Sequence, residues 1–142
     1  MVGVRMPFEN PPDEIIRDLL SRPMRIAVVG CSPDPRRASH RVAQLLIEKG
    51  HDVVPVNPDV GEVLGRPSYP SLRAVPEKID MVDVFRRSEH VAAIVDEAIE
   101  VGAKVVWTQL GVGDETAAAR AREAGLTVVM DRCPAIEYRR LF

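Results

Sequence analysis

Short apolar runs rich in Val and Ile alternate along this chain with longer stretches whose apolar residues recur at helical spacing. The short runs, at Arg25–Val29 and at 52–57, 80–85, 104–109 and 126–131, each predict a strand. Between them, 38–49 sets Val42, Leu45 and Leu46 on one helical face, and 89–101 does the same with Val91, Ile94, Val95 and Ala98. The stretch 114–124 predicts a third helix, capped by Asp114, and Gly50, Gly102 and Gly125 each follow a helix as a stop. An N-terminal helix at about 11–22 carries Ile15, Ile16, Leu19 and Leu20, with Asn10 as its cap and Pro23 as its end. A short C-terminal helix is expected over 135–141. Segment 58–76 is rich in Gly, Pro and Ser and reads as a loop, with an extended piece near Tyr69. Pro55 predicts that the second strand is not fully paired. Near-continuous apolar strands alternating with helices imply an α/β, doubly wound parallel sheet of Rossmann-like type. About five main strands are expected, with helices on both faces.

Composition narrows the field. A chain of 142 residues fits one domain, and 46% apolar with 28% charged residues is ordinary for a folded protein. The formal net charge of −2 gives no electrostatic support for nucleic acid or membrane surfaces, and 4% aromatic residues leave few stacking platforms. No apolar stretch approaches the ~20 residues of a membrane span, and no secretory leader is evident, so a cytoplasmic location is expected. Cys31 and Cys133, the only cysteines, make neither a disulfide framework nor a metal site.

In such sheets ligands sit beyond the carboxyl ends of the strands. After the first strand come Gly30, Cys31 and Ser32, then Arg36 and Arg37 before the next helix. Gly30 permits a tight turn, Ser32 offers a hydroxyl, and the helix amides and arginines suit a phosphate. Ser32 and Pro35 replace the later glycines of the dinucleotide fingerprint, so the loop is not the usual nicotinamide or flavin one. The second strand ends in Val56, Asn57 and Pro58, with no acidic residue at the ribose position and Asp59 one step further. Phe85, Arg86 and Arg87 end the third strand, where Phe85 can flank a base and an arginine can meet a phosphate. Thr108 and Gln109 end the fourth, and Cys133 and Pro134 follow the fifth. Of the histidines, His40 is the one expected near the cleft; His51 reads as turned outward and His90 as a first-turn helix residue. No nucleophile lies beside an obvious base, so no catalytic residue is assigned.

Taken in order, several motifs carry a resemblance: Val28-Val29-Gly30-Cys31-Ser32, Val54-Pro55-Val56-Asn57-Pro58, Gly65-Arg66-Pro67, Val82-Asp83-Val84-Phe85-Arg86-Arg87, Trp107-Thr108-Gln109-Leu110-Gly111 and Asp131-Arg132-Cys133-Pro134. From Arg25 to Leu141 the chain resembles the small bacterial CoA-binding domain family, related in fold to the succinyl-CoA synthetase α-subunit. The resemblance implies coenzyme A across the carboxyl edge of the sheet, with its phosphates at Gly30–Ser32. Adenine and ribose would lie against 56–58 and 85–87, and the pantetheine arm towards Thr108, Gln109, Cys133 and Pro134. Arg66 is a further phosphate candidate. The chain departs from the family at Ala135 and Tyr138, where a lysine-like residue and a histidine are common. Its length leaves no room for the ligase domains of an acyl-CoA ligase.

The leading expectation is a CoA or acyl-CoA binding protein with no catalysis of its own, acting as a homodimer or beside an enzyme partner. Two other readings stay open: an NADP-dependent oxidoreductase or regulator with Thr108 or Tyr138 placing the hydride acceptor, and an interaction module with a vestigial cleft.

Overall fold

The computed structural model describes residues 7–142. Helix α1 (Asp13–Ser21) precedes β1 (Arg25–Val29), α2 (Ala38–Glu48) and β2 (Asp52–Val56). A hairpin of β3 (Glu62–Val63) and β4 (Arg66–Pro67) follows, then β5 (Met81–Val84), α3 (Val91–Glu100) and β6 (Val105–Thr108). The chain closes with α4 (Glu115–Glu123), β7 (Thr127–Val129) and α5 (Pro134–Leu141). The five long strands form one parallel sheet in the order β2-β1-β5-β6-β7, as expected from the sequence. Strand order reverses between β1 and β5, so their carboxyl ends form the crevice where such folds bind ligands.

Side-chain alternation builds two cores. Ala27, Val29, Val82, Val84, Val106 and Val128 face α3 and α4, while Ile26, Val28, Met81, Val105, Trp107 and Val129 face α1, α2 and α5. Asp83 falls on the second face by the same period-two rule, between Val28 and Trp107 on the flanking strands. Its carboxylate is fully buried without a hydrogen-bond partner, and burial pushes its pKa up to about 8. No helix among the described residues is long and apolar enough to cross a membrane.

Three local expectations are corrected and a fourth is met. Asn10 does not cap α1; its side chain pairs with Met130, accepting from the amide at 2.8 Å and donating to the carbonyl at 2.9 Å, so it acts as a short extension of the sheet. Pro55 agrees with its expectation: β2 is the edge strand, paired with β1 on one side only, and the imino side of Pro55 faces away from β1. On that outer side the Pro55 carbonyl accepts from Tyr69 at 3.1 Å, which seats the expected extended piece as an isolated parallel bridge. The segment after it is not only a loop: Leu64 and Gly65 both take positive φ and close the β3–β4 hairpin. His51, expected outside, is buried. Its Nδ1 accepts from the Met24 amide at 3.1 Å and its Nε2–H donates to Tyr138 Oη at 2.6 Å; Tyr138 in turn donates to the Leu20 carbonyl at 3.0 Å. That chain ties α1, the starts of β1 and β2, and α5 together.

Candidate functional site

Gly30 makes the crevice possible. Its φ is +84°, and a Cβ there would stand 2.5 Å from the Phe85 carbonyl oxygen, so only glycine lets β1 pass this close to β5. The Gly30 amide donates to the Val56 carbonyl at 2.9 Å, joining the end of β1 to that of the edge strand β2. The loop beyond is pinned from within. The Ser32 amide donates to Ser39 Oγ at 3.0 Å, Ser32 Oγ accepts from the Asp34 amide at 3.0 Å, and the Ser32 carbonyl meets His40 Nδ1 at 2.9 Å. The Ser32 hydroxyl proton and the first amides of α2, which has no side-chain cap, are left for a ligand.

Two hollows open side by side at this edge. Gly30, Ser32, Arg37, Ser39 and Phe85 line the first, a polar one over the start of α2. The second is a largely apolar slot between Val29, Val56, Pro58, Leu72 and Ile94, with Arg86 and His90 at its mouth. It holds about 190 Å³, below the ~300–1,000 Å³ that encloses a whole drug-sized ligand, so it suits one end of a longer molecule.

The arginines separate by what they already bind. Arg36, its side chain exposed, holds Asp34 through a 3.0 Å ion pair and keeps that carboxyl below its usual range. Arg66 pairs with Asp52 at 3.0 Å and donates to the Val53 carbonyl, which places it at the amino end of β2, away from the crevice. The hairpin that carries it folds back along β2. Of the candidate arginines, Arg37, Arg86 and Arg87 make no ion pair with a carboxylate among the described residues, and Arg37 and Arg86 line the hollows.

The other expected residues divide similarly. Val56 and Pro58 wall the slot, whereas Asn57 staples two loops, donating to the Cys31 carbonyl at 2.9 Å and accepting from the Asp59 amide. Phe85 packs towards the α2 face, so it borders the polar hollow and does not flank the slot. Cys31 is buried beneath the loop, and burial together with Asp83 pushes its thiol up to about 11. Thr108 is buried, its hydroxyl donating to the Val112 carbonyl at 2.7 Å and accepting from the Asp131 amide at 3.0 Å. Gln109 keeps a buried side-chain oxygen without a partner. Cys133 and Pro134 are buried at the start of α5. Tyr138, committed to His51 and Leu20, cannot place a hydride acceptor.

His40 meets the Ser32 loop, as expected, but from its buried side; His90, at the opening turn of α3, also lines the slot, which the sequence did not show. Leu72 and Ile94, which reach the slot from the 70–72 segment and α3, were missed as site residues. No group of three or more metal-ligating side chains occurs among the described residues.

This arrangement has close relatives. An uncharacterized protein, YneT, of Bacillus subtilis is 42% identical over 126 residues, covering 89% of this chain and 93% of that protein. The alpha subunit of an ADP-forming acetate–CoA ligase II from Pyrococcus furiosus is 31% identical over 114 residues, 79% of this chain but 25% of the subunit. Among solved structures, a hypothetical protein from Pyrococcus horikoshii superposes with a TM-score of 0.90 at 45% identity, covering 99% of both chains. The model of the CoA binding domain matches residues 24–139, and the chain belongs to that CoA-binding family.

Proposed function

We propose that this protein binds coenzyme A or an acyl-CoA across the β1/β5 crevice and performs no chemistry on it. The observation that carries the reading is the pairing of an uncapped helix start, with Arg37 beside it in the polar hollow, with a neighbouring apolar slot that Arg86 lines. The diphosphate takes the polar hollow, where Arg37, the Ser32 hydroxyl and the α2 amides converge. The adenine end enters the slot between Val56, Pro58 and Ile94, with Arg86 beside it. The pantetheine arm runs towards the carboxyl end of β6 and Gln109. Support for binding without catalysis comes from the nucleophiles: Cys31 is a buried thiol that keeps its proton at neutral pH, and the Thr108 hydroxyl is fully engaged.

The test is calorimetric titration of CoA into the wild type and three variants. Arg37→Ala and Arg86→Ala should each weaken CoA about tenfold, the worth of one charge-assisted hydrogen bond, and the effect should shrink as salt rises. Arg66→Ala should leave affinity unchanged, since its guanidinium is held at the far end of β2. Equal losses from Arg66→Ala and Arg86→Ala would show that the crevice is not where CoA binds.

A further inference from the structure

Asp83 lies one pleat below the polar hollow. By the two-residue period of the strand its side chain shares a face with Phe85, which lines that hollow, and two residues along a strand advance only about 7 Å. The Phe85 amide donates to the Val29 carbonyl at 2.8 Å, so the ladder that holds Asp83 runs on to the turn at Gly30. Both carboxylate oxygens of Asp83 are buried without a hydrogen-bond partner. The groups on this face are neutral or engaged elsewhere. Val28 and Trp107 flank Asp83 on β1 and β6, and the Trp107 indole N–H donates to the Arg132 carbonyl. Helix α2 brings His40, whose Nδ1 meets the Ser32 carbonyl. Helix α5 brings Glu137, held by Arg132 and Arg140, and Tyr138, held by His51. The buried residues of α1 are Ile16, Leu19 and Leu20, and the two thiols on this face are Cys31 and Cys133. Asp83 is already felt at the turn, since its charge adds to burial in keeping the Cys31 thiol protonated. Cys31 stands between Gly30 and Ser32, which both line the hollow. An anion there and a carboxylate at Asp83 would oppose each other across a dry wall, where charges act more strongly than in water.

Resting on the CoA reading above, we infer that Asp83 is a proton switch beneath the ligand turn: CoA bound in the polar hollow keeps Asp83 protonated, and ionisation of Asp83 drives CoA out. The coupling is reciprocal, so binding takes up a proton wherever the free protein has released it, and affinity falls as pH rises through that range. The sign is opposite to that of a cationic phosphate contact, which gains nothing from a proton on a neighbouring acid.

The experiment titrates acetyl-CoA, whose blocked thiol has no proton to lose, into the whole chain as wild type and as Asp83→Asn, at about pH 7 and about pH 9. The ligand's phosphate monoester stays ionised over that span, since its second proton leaves near pH 6. At the lower pH the two proteins should bind alike, and at the higher pH the wild type should fall about fivefold or more below the variant. Wild-type titrations near pH 8 in two buffers of unlike ionisation enthalpy should show proton uptake that the variant lacks. Carbon NMR of the Asp83 carboxyl reads the same coupling without a substitution: its titration midpoint should move up when acetyl-CoA is added, and this decides the question even where Asp83→Asn does not fold. A midpoint that stays in place, or the same pH dependence in both proteins, overturns the inference and leaves the CoA reading standing. Failure of the wild type to bind at about pH 7 overturns the CoA reading itself, and this coupling with it.

Discussion

Asp83 is a carboxylic acid with no partner in the centre of a sheet, and the chain keeps it folded by keeping it protonated. Its neighbours on the adjacent strands, Val28 and Trp107, offer no charge to offset ionisation. In the unfolded chain the group releases its proton near the ordinary value of 3.8, whereas the folded protein holds it to about 8. The unfolded state therefore binds fewer protons across that window, and stability must fall as pH rises through it. The loss tends to an upper bound of about 6 kcal/mol, reduced by whatever relaxation lets water reach the carboxylate. Asp83→Asn removes the titration. Urea melts at acidic and mildly alkaline pH should show the wild type weakening relative to the variant as pH rises. A constant difference between them would mean that Asp83 is solvated in a way its burial does not suggest.

At the scale of elements, the parallel sheet has no hydrogen bonds of its own to hold α1 and α5 at its amino edge. The His51–Tyr138 chain supplies them, because one imidazole and one phenol satisfy the Met24 amide and the Leu20 carbonyl while bridging α5 to the start of β2. Burial lowers the His51 pKa from its ordinary 6.5, and the geometry explains why: a protonated Nδ1 would point its hydrogen at the Met24 amide. With the folded pKa depressed, the unfolded chain takes the proton first, so this contribution is full above the ordinary value and is lost as pH falls below it. Tyr138→Phe leaves the His51 N–H and the Leu20 carbonyl unpaired in a buried place and should cost about 1–3 kcal/mol. Differential scanning calorimetry at neutral pH reads that loss, and repeating it at acidic pH should show a smaller gap. Hydrogen exchange should place the loosening in α1 and α5, leaving β5 and β6 protected.

For the whole molecule, what was legible in the sequence follows from what is local. Strand and helix order came from apolar spacing, and the anion loop from Gly30, Ser32 and the helix that follows. Long-range partners were not legible: nothing near Arg66 says that a two-residue hairpin returns it to Asp52, and nothing near Asn10 says that Met130 will meet it. His90 was hidden for a related reason, since its helix-opening position is local but the slot it faces needs β1, β2 and segment 70–72 to exist. The site is thus a property of assembled strand ends, and its ligand should act as an additional tie among them. A molecule spanning Ser32, Pro58 and Arg86 touches the ends of β1, β2 and β5 together, contacts the unfolded chain cannot make. Saturating CoA at a hundredfold excess over Kd should then stabilise the fold by about 2.7 kcal/mol. For a chain of this length that raises Tm by roughly 8 °C. The rise should depend on CoA concentration and should be smaller in Arg37→Ala and Arg86→Ala at equal CoA. Thermal melts showing no concentration dependence would mean that the strand ends are not bridged by the ligand.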